Sequence, residues 1–312
     1  MAENVYQRMV ERSMEPEGRE RTVSYLAEKL SSFVKKGERV LICFPEHWEG
    51  NLSWLFEQAA VRCGATPVLW GPDLRWKTLM QQAFYSRAAT IIGPPLVVLG
   101  LSKLKRQNGI PLYIRRVVTA GYPCPDWMID GIIKGLDCQV WGSFGLDTTG
   151  VVAGFSCGKS RGVHLRSGEF AVDIVDSDGK SLPPGEDGEM ILYPIDRPEL
   201  RYDLGERGRI ETAPCRCGCA SPRLMDMRPG KTVDPDLAEL GQYLQSWTSV
   251  LDCRMRKGNY GLELELIVFA GEKLPKLPSA AKQVIRPWDP KHDEPLWYEP
   301  IVKNTDFSFE SH

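Results

Sequence analysis

Cysteine and histidine residues at the two ends of one stretch constrain this chain more than any other feature. Cys157 and His164 lie in Cys-Gly-Lys-Ser-Arg-Gly-Val-His, and Cys215 and Cys217 follow about fifty residues later in Pro-Cys-Arg-Cys-Gly-Cys. Thiolate and imidazole are the ligands of tetrahedral zinc sites, and they favour Zn²⁺ over Mg²⁺ or Ca²⁺. Four protein ligands would leave no open position, so such a site would be structural. The spacing matches no common zinc finger, so the pattern alone leaves a zinc site and unconnected cysteines both open.

The residues between these two ends indicate β structure. Residues 169–175 and 189–193 are largely apolar, and the turn Pro-Pro-Gly-Glu-Asp-Gly at 183–188 lies between them. Two such runs joined by a turn predict a hairpin. We therefore expect a β-rich lobe over about residues 151–228 that brings the four candidate zinc ligands together.

Charge and cysteine content exclude several classes of protein. The formal net charge of −2 argues against nucleic-acid binding, because such proteins usually carry a basic excess on one face. The nine cysteines are an odd number and several are isolated, which suits a reducing cytoplasm better than a disulfide framework. The sequence has neither a membrane-length apolar run nor a signal-peptide pattern, so we expect a cytoplasmic protein without a membrane partner.

Residues 22–141 alternate between helix-like and strand-like patterns. The predicted strands are 39–44, 66–70, 89–92, 116–120 and 138–141, and the predicted helices are 22–34, 54–62, 74–85, 94–104 and 126–134. This alternation indicates βαβ units and an α/β fold with a mostly parallel sheet and flanking helices. Ligands of such sheets bind beyond the carboxyl ends of the strands, which here are residues 44–47, 93–95, 120–123 and 141–145.

The N-terminal and C-terminal regions do not show this regular alternation of helix and strand patterns. Residues 1–20 are charged and predict a frayed helix. Residues 236–247 predict a helix and residues 262–269 a strand, whereas residues 275–300 are rich in proline and read as irregular. The predicted organisation is a core over residues 1–228 followed by a small α+β C-terminal domain over residues 229–312.

Five motifs together resemble one known family. In order, they are Trp141-Gly-Ser-Phe-Gly-Leu-Asp-Thr148, Cys157 with His164, Leu182-Pro-Pro-Gly-Glu-Asp-Gly-Glu189, Arg201-Tyr-Asp-Leu-Gly-Glu206 and Pro214-Cys-Arg-Cys-Gly218. They resemble motifs of the adenylate-forming superfamily, most closely phenylacetate–CoA ligase and coenzyme F390 synthetase-like proteins. The resemblance covers about residues 22–228.

The resemblance implies a fold, a reaction and a set of cofactors. In that family a carboxylic acid attacks the α-phosphate of ATP to give acyl-AMP and pyrophosphate, and coenzyme A then displaces AMP. The implied cofactors are ATP or AMP, Mg²⁺, CoA and a structural Zn²⁺. The zinc ligands carried over are Cys157, His164, Cys215 and Cys217, with Cys219 as an additional cysteine.

The resemblance also implies ligand-binding positions. The adenine or acyl pocket maps to the strand ends that contain Gly121, Tyr122, Pro123, Phe144 and Gly145. Aromatic residues at such positions can equally serve in packing.

The resemblance also assigns four further positions to binding of the magnesium ion and the ribose and to catalysis. The magnesium-binding glutamate of the family corresponds to Thr148, beside which Asp147 could serve instead. The ribose-binding aspartate corresponds to Glu206, and Lys303 is the candidate for the catalytic C-terminal lysine.

One candidate comes from the strand ends themselves. His47 lies beyond the first predicted strand, where it could contact a substrate carboxylate or act as an acid or base; an ordinary loop histidine is the alternative.

The chain departs from the family's motifs at the positions that bind the phosphates of ATP. Residues 1–21 contain only Ser13 and Gly18 of the residue types of the phosphate loop, so we expect the core to lack that loop and the region before it. Asp203-Leu204 replaces the family's Arg-Thr, and a carboxylate there would repel ATP by about a few kcal/mol in a dry site.

Three hypotheses follow. The first is a ligase-like protein that binds a carboxylate, a nucleotide or a CoA-type ligand, with adenylation weak or lost. The second is an active acid–CoA or acid–AMP ligase with an unconventional phosphate site, which another protein subunit could complete. The third is a non-catalytic subunit or regulatory partner.

Overall fold

A computed structural model describes residues 5–71, 73–146, 150–230, 235–258, 261–278 and 282–296 of the chain. Within these ranges the helices are α1 (Val5–Met14), α2 (Pro16–Ser31), α3 (Leu52–Arg62), α4 (Trp76–Ser86), α5 (Pro95–Asn108), α6 (Asp126–Leu136) and α7 (Pro235–Ser246). The strands are β1 (Arg39–Ile42), β2 (Thr66–Leu69), β3 (Thr90–Gly93), β4 (Arg116–Thr119), β5 (Gln139–Leu146), β6 (Val151–Phe155), β7 (Val163–Leu165), β8 (Phe170–Val175), β9 (Gly188–Pro194), β10 (Tyr202–Glu211), β11 (Arg223–Pro229), β12 (Val250–Gly258), β13 (Gly261–Val268) and β14 (Lys282–Pro287). None of the described helices is long and apolar enough to cross a membrane.

The first eleven strands form one sheet in the order β2-β1-β3-β4-β5-β6-β7-β11-β10-β9-β8. Strands β1 to β5 are parallel, and from β5 onward every pairing is antiparallel. The α/β fold class predicted from the sequence is confirmed. The predicted β-rich segment does not form a second sheet, because β6 pairs with β5 and so continues the parallel sheet.

Both faces of the parallel half are covered. Leu41, Ile91 and Val117 are adjacent in register and pack under α4, α5 and α6. The residues between them on each strand, such as Ile42 and Ile92, pack under α2 and α3 on the other face. Because both faces are buried, these strands have continuous apolar sequences rather than alternating ones.

The predicted helices and strands of the core are present, with several changed boundaries. Residues 1–20 were expected to form one frayed helix, but two helices occur, and α2 begins at Pro16. Proline suits the first turn of a helix, where its missing N–H has no intrahelical acceptor. Strand β5 continues to Leu146, five residues beyond its predicted end, because its second half pairs with β6.

The C-terminal region contains a second sheet in the order β12-β13-β14. The prediction that residues 275–300 are irregular was wrong for β14, which pairs in parallel with β13. One face of this sheet packs against α7 through residues such as Leu244 and Leu266. The other face packs against the helices of the core through Leu251, Ile267 and Phe269.

Candidate metal centre

The four predicted zinc ligands lie together. The donor atoms of Cys157, His164, Cys215 and Cys217 are all within 4.8 Å of one another. The sequence prediction that these residues converge therefore agrees with the structure.

Three segments of the antiparallel half supply the ligands. Cys157 follows β6 by two residues, and His164 is the middle residue of β7. Cys215 and Cys217 lie in the turn after β10, where the N–H of Gly218 donates to the carbonyl oxygen of Cys215 over 3.0 Å. Gly218 has a φ of +84°, a conformation that favours glycine, so the Cys-Arg-Cys-Gly sequence can turn sharply enough to aim both thiols at His164.

The separations fit a tetrahedral zinc ion. The Sγ atoms of Cys157 and Cys215 are 3.6 Å apart, and Cys217 Sγ lies 3.4 Å from His164 Nε2. Zinc–sulfur bonds of about 2.3 Å and zinc–nitrogen bonds of about 2.0 Å at tetrahedral angles require ligand separations of roughly 3.5–3.8 Å. A sulfur–sulfur separation of 3.6 Å is too long for a disulfide bond. The donor set and these two separations are therefore close to what a tetrahedral Zn²⁺ requires.

Neighbouring groups favour the metal-binding forms of two of the predicted ligands, His164 and Cys215. His164 Nδ1 lies 3.1 Å from the carbonyl oxygen of Ser221, so this nitrogen carries the proton and donates it to the carbonyl. Nε2 therefore faces the three thiols with its lone pair free for a metal. Burial opposes ionisation of Cys215, but hydrogen bonds from the backbone N–H of Cys217 and the Ser160 hydroxyl favour its thiolate, and the pKa of Cys215 falls to about 5.

The supporting residues Ser160 and Ser221 were not predicted from the sequence. Small hydroxyl residues and backbone carbonyls have no distinctive pattern. In retrospect, both flank predicted ligands within a few positions.

His47 is held by protein groups on both sides of its ring. Its Nδ1 lies 3.0 Å from Ser53 Oγ, and its Nε2 lies 3.1 Å from a carboxylate oxygen of Glu57. Both partners belong to α3, so His47 fastens the loop after β1 to that helix. Neither ring nitrogen is free for a substrate in this arrangement, and a catalytic role for His47 stays a prediction.

The predicted nucleotide-pocket residues occupy different environments. Gly121 has a φ of +88° just beyond β4, and the neighbouring Tyr122 is 37% exposed, as a ligand-contacting residue can be. Pro123 is half-buried. Phe144, by contrast, is buried among apolar residues of the antiparallel half, and packing accounts for it.

Gly145 has a steric role at the start of the antiparallel half. A Cβ atom at this position would lie 1.8 Å from the carbonyl oxygen of Val151 on the neighbouring strand β6. Only glycine allows the two backbones to approach this closely.

Glu206 lies away from the other candidates within the sheet. It is on β10, and β6, β7 and β11 lie between β10 and β5 in the strand order. Asp203 is exposed, and one of its oxygens accepts the N–H of Gly205 over 2.9 Å. Solvent screens an exposed charge, so its repulsion of ATP would be weaker than in a dry site. Asp147, Thr148 and Lys303 lie outside the described residues.

Comparisons with known proteins identify the fold. The chain has the fold of the adenylate-forming enzymes. It is similar to 2-hydroxyisobutyryl-CoA ligase in complex with 2-HIB-AMP, with 15% identity, a TM-score of 0.67, and coverage of 91% of this chain and 69% of that one. It is also similar to the anthranilate CoA ligase AuaEII in complex with anthranoyl-AMP, with 14% identity, a TM-score of 0.54, and coverage of 86% and 59%.

A third similar structure is the amide bond synthetase McbA from Marinactinospora thermotolerans, with 16% identity, a TM-score of 0.53, and coverage of 84% of this chain and 62% of that one. The chain spans 57–59% of three structures of 2-hydroxyisobutyryl-CoA ligase and 69% of a fourth. No family model matches the sequence, and no curated protein matches it. The phenylacetate–CoA ligase subtype stays a prediction.

Proposed function

We propose that this chain is a ligase-like protein of the adenylate-forming fold that binds a carboxylate, a nucleotide or a CoA-type ligand, with adenylation weak or lost. We further propose that a structural Zn²⁺ bound by Cys157, His164, Cys215 and Cys217 stabilises its antiparallel half. The ligand site would lie at the carboxyl ends of β1, β3, β4 and β5, where open α/β sheets bind their ligands.

The observation that carries the ligand proposal is the extent of the shared fold. The match to 2-hydroxyisobutyryl-CoA ligase in complex with 2-HIB-AMP covers 91% of this chain. At the end of β4, Gly121 has a positive φ and the neighbouring Tyr122 is 37% exposed, so this segment is accessible to a ligand. A proposal of binding is therefore better supported than a purely structural role.

The proposal of weak adenylation rests on residue identity. Thr148 stands where the family has a magnesium-binding glutamate, and a neutral hydroxyl is a poorer Mg²⁺ ligand than a carboxylate. Glu206 stands where the family has aspartate, and its extra methylene moves the carboxylate outward. Both changes weaken interactions that hold ATP in line for attack by the acid.

The zinc proposal rests on the donor set. Three sulfur atoms and one imidazole nitrogen, all within 4.8 Å of one another, would satisfy the four positions of a tetrahedral ion. The metal would cross-link the segments beside β6, β7 and β10, and it would leave no position open for a substrate. Its contribution would be to folding rather than to chemistry.

Ligand binding is tested by thermal shift. We expect CoA, AMP or ATP with Mg²⁺, alone or with a panel of aryl and alkyl acids, to raise the melting temperature by about 5 °C at a hundred times the dissociation constant. GTP serves as a control for non-specific binding of nucleotides. If none of these ligands raises the melting temperature, the third hypothesis of a non-catalytic partner replaces this proposal.

Pyrophosphate release from ATP with the same acids separates the first and second hypotheses. We expect the protein to release pyrophosphate at or near the background rate measured without protein. Release with several turnovers per minute would instead establish an active ligase, the second hypothesis.

A further inference from the structure

A cleft lies between the C-terminal ends of α5 and α6, beside the amino ends of β4 and β5. Its volume is about 430 Å³, and sites for small molecules usually measure roughly 300–1,000 Å³. Three of its lining residues are the cations Lys105, Arg106 and Lys134, and the others are two glycines, Ile110 and Pro111. The cleft therefore has the size of a ligand site and a basic wall.

Close packing of the two helices brings the cations together. A Cβ atom at Gly135 would lie 2.6 Å from the Cβ atom of Ser102, so glycine lets α6 approach α5 closely. Lys105 Nζ then donates to the carbonyl oxygen of Leu136, the last residue of α6, over 2.9 Å. This bond fixes the end of α6 against α5. Lys134 consequently lies at the same cleft as the cations of α5.

Two of the three cations are unpaired in the part of the chain that the structure describes. Lys105 has the carbonyl oxygen of Leu136 as an acceptor, whereas the exposed side chains of Arg106 and Lys134 make no hydrogen bond or ion pair with any described residue. Asp137 follows α6, but no described carboxylate is among the lining residues. Like charges around one cleft repel one another, and an anion bound between them would relieve this repulsion.

The charge of the cleft indicates the class of anion. The C-terminal end of a helix carries about half a negative charge, so the two helix ends offset about one of the three positive charges. A matching ligand therefore has at least two negative charges. Guanidinium and ammonium groups both bind phosphate oxygens well, and linked phosphates can reach cations on two helices at once. An oligophosphate group fits this arrangement better than a single small anion.

The cleft is separate from the proposed ligand site. Helix α5 has 14 residues and begins at Pro95, just beyond the carboxyl end of β3. An α-helix rises 1.5 Å per residue, so the cleft at its other end lies roughly 20 Å from that edge of the sheet. A ligand at the carboxyl ends of the strands would not contact the three cations.

We infer that the cleft between α5 and α6 is a second ligand site, which binds an oligophosphate group through Lys105, Arg106 and Lys134. The group can be an inorganic chain or the phosphate tail of a nucleotide whose nucleoside packs against Ile110 and Pro111. The inference does not rest on the proposed function, because the two sites share no residue.

Calorimetric titration of the wild-type protein with inorganic tripolyphosphate, in low salt and without Mg²⁺, tests the site. We expect a dissociation constant of about 0.1 mM that rises at least about tenfold in high salt, because salt screens exposed charges. Citrate, a carboxylate anion of high charge, should bind about tenfold more weakly. No binding of tripolyphosphate, or equal binding of citrate, would overturn the assignment.

Variants test the three-cation assignment. Arg106→Gln combined with Lys134→Gln removes two positive charges from the cleft. The matched control is Lys180→Glu, which changes the net charge equally in the exposed turn between β8 and β9. We expect the affinity for tripolyphosphate to fall at least about tenfold in the double variant and to change less than about twofold in the control. Equal losses in both, or unchanged binding by the double variant, would overturn the inference.

Acetylation of lysines followed by mass spectrometry locates the anion on the wild-type protein. Tripolyphosphate should slow acetylation of Lys134 about fivefold, because an ammonium group beside an anion loses its proton less readily, and should leave Lys180 unaffected. Unchanged acetylation of Lys134 would contradict the inference. ATP distinguishes the two sources of the group. Tighter binding than tripolyphosphate, lost in the double variant, would identify a nucleotide, and equal affinity would identify an inorganic chain.

Discussion

Serine in place of both Cys215 and Cys217 is expected to reduce bound zinc from about one ion per chain to less than a tenth and to lower the melting temperature by about 10 °C or more. The serine hydroxyl is not ionised at neutral pH and is a poor zinc ligand, so two of the four donors would be lost. Without the ion, the turn after β10 would no longer be cross-linked to β7. Elemental analysis of the purified protein and differential scanning calorimetry measure the two effects.

Cys219→Ser is the matched control for these variants. Cys219 is exposed in the same turn, but its thiol is not one of the four clustered donors. We expect this variant to keep its zinc and its melting temperature. Metal loss from the double variant with an unchanged melting curve would contradict the structural role, and wild-type protein purified without chelators and free of metal would contradict the site itself. If the double variant does not fold, titration of the wild type with a chelator gives the same comparison.

Alanine in place of Gly145 is expected to destabilise the protein by roughly 4 kcal/mol or more, or to prevent soluble expression. Its Cβ would lie 1.8 Å from the carbonyl oxygen of Val151 and 2.9 Å from the carbonyl carbon. Both are backbone atoms of β6, so relief of the clash would require β5 and β6 to separate, with loss of their hydrogen bonds. Urea unfolding monitored by tryptophan fluorescence measures the change.

Gly168→Ala provides the control for glycine replacement itself. A Cβ at Gly168 would meet no atom within 4 Å, and the residue has no positive φ. We expect a change within about 1 kcal/mol, of either sign. Equal urea midpoints for the two variants would contradict the close approach of β5 and β6 at Gly145.

The strands and helices of the parallel half could be predicted from sequence because its strands are buried on both faces. Strands such as β1 and β3 are covered on both faces, so their residues are apolar without interruption, and glycines or prolines mark the turns between them. The convergence of Cys157, His164, Cys215 and Cys217 could be predicted for a different reason, because cysteine and histidine in paired motifs are specific to few kinds of site.

The strand pairing of the antiparallel half and the burial of Lys103 and Phe144 could not be predicted, because they depend on contacts between residues that are distant in sequence. Arg223 of β11 pairs opposite His164 of β7, and no local pattern specifies a partner 59 positions away. Lys103 looks like a surface residue of α5 until the C-terminal sheet covers it. Phe144 fits the motif of a nucleotide pocket, but its side chain lies in the core, because β5 continues past its predicted end and pairs with β6.

The position of β11 has a consequence for synthesis of the protein on the ribosome. This strand lies between β7 and β10, although it is the last of the eleven to be translated. Until residue 229 has left the exit tunnel, β7 and β10 each present an unpaired backbone edge that can join strands of other nascent chains. Translation pauses or shortened messages that end before β11 should therefore yield aggregating polypeptides that need chaperones, whereas chains that include β11 complete the sheet by themselves.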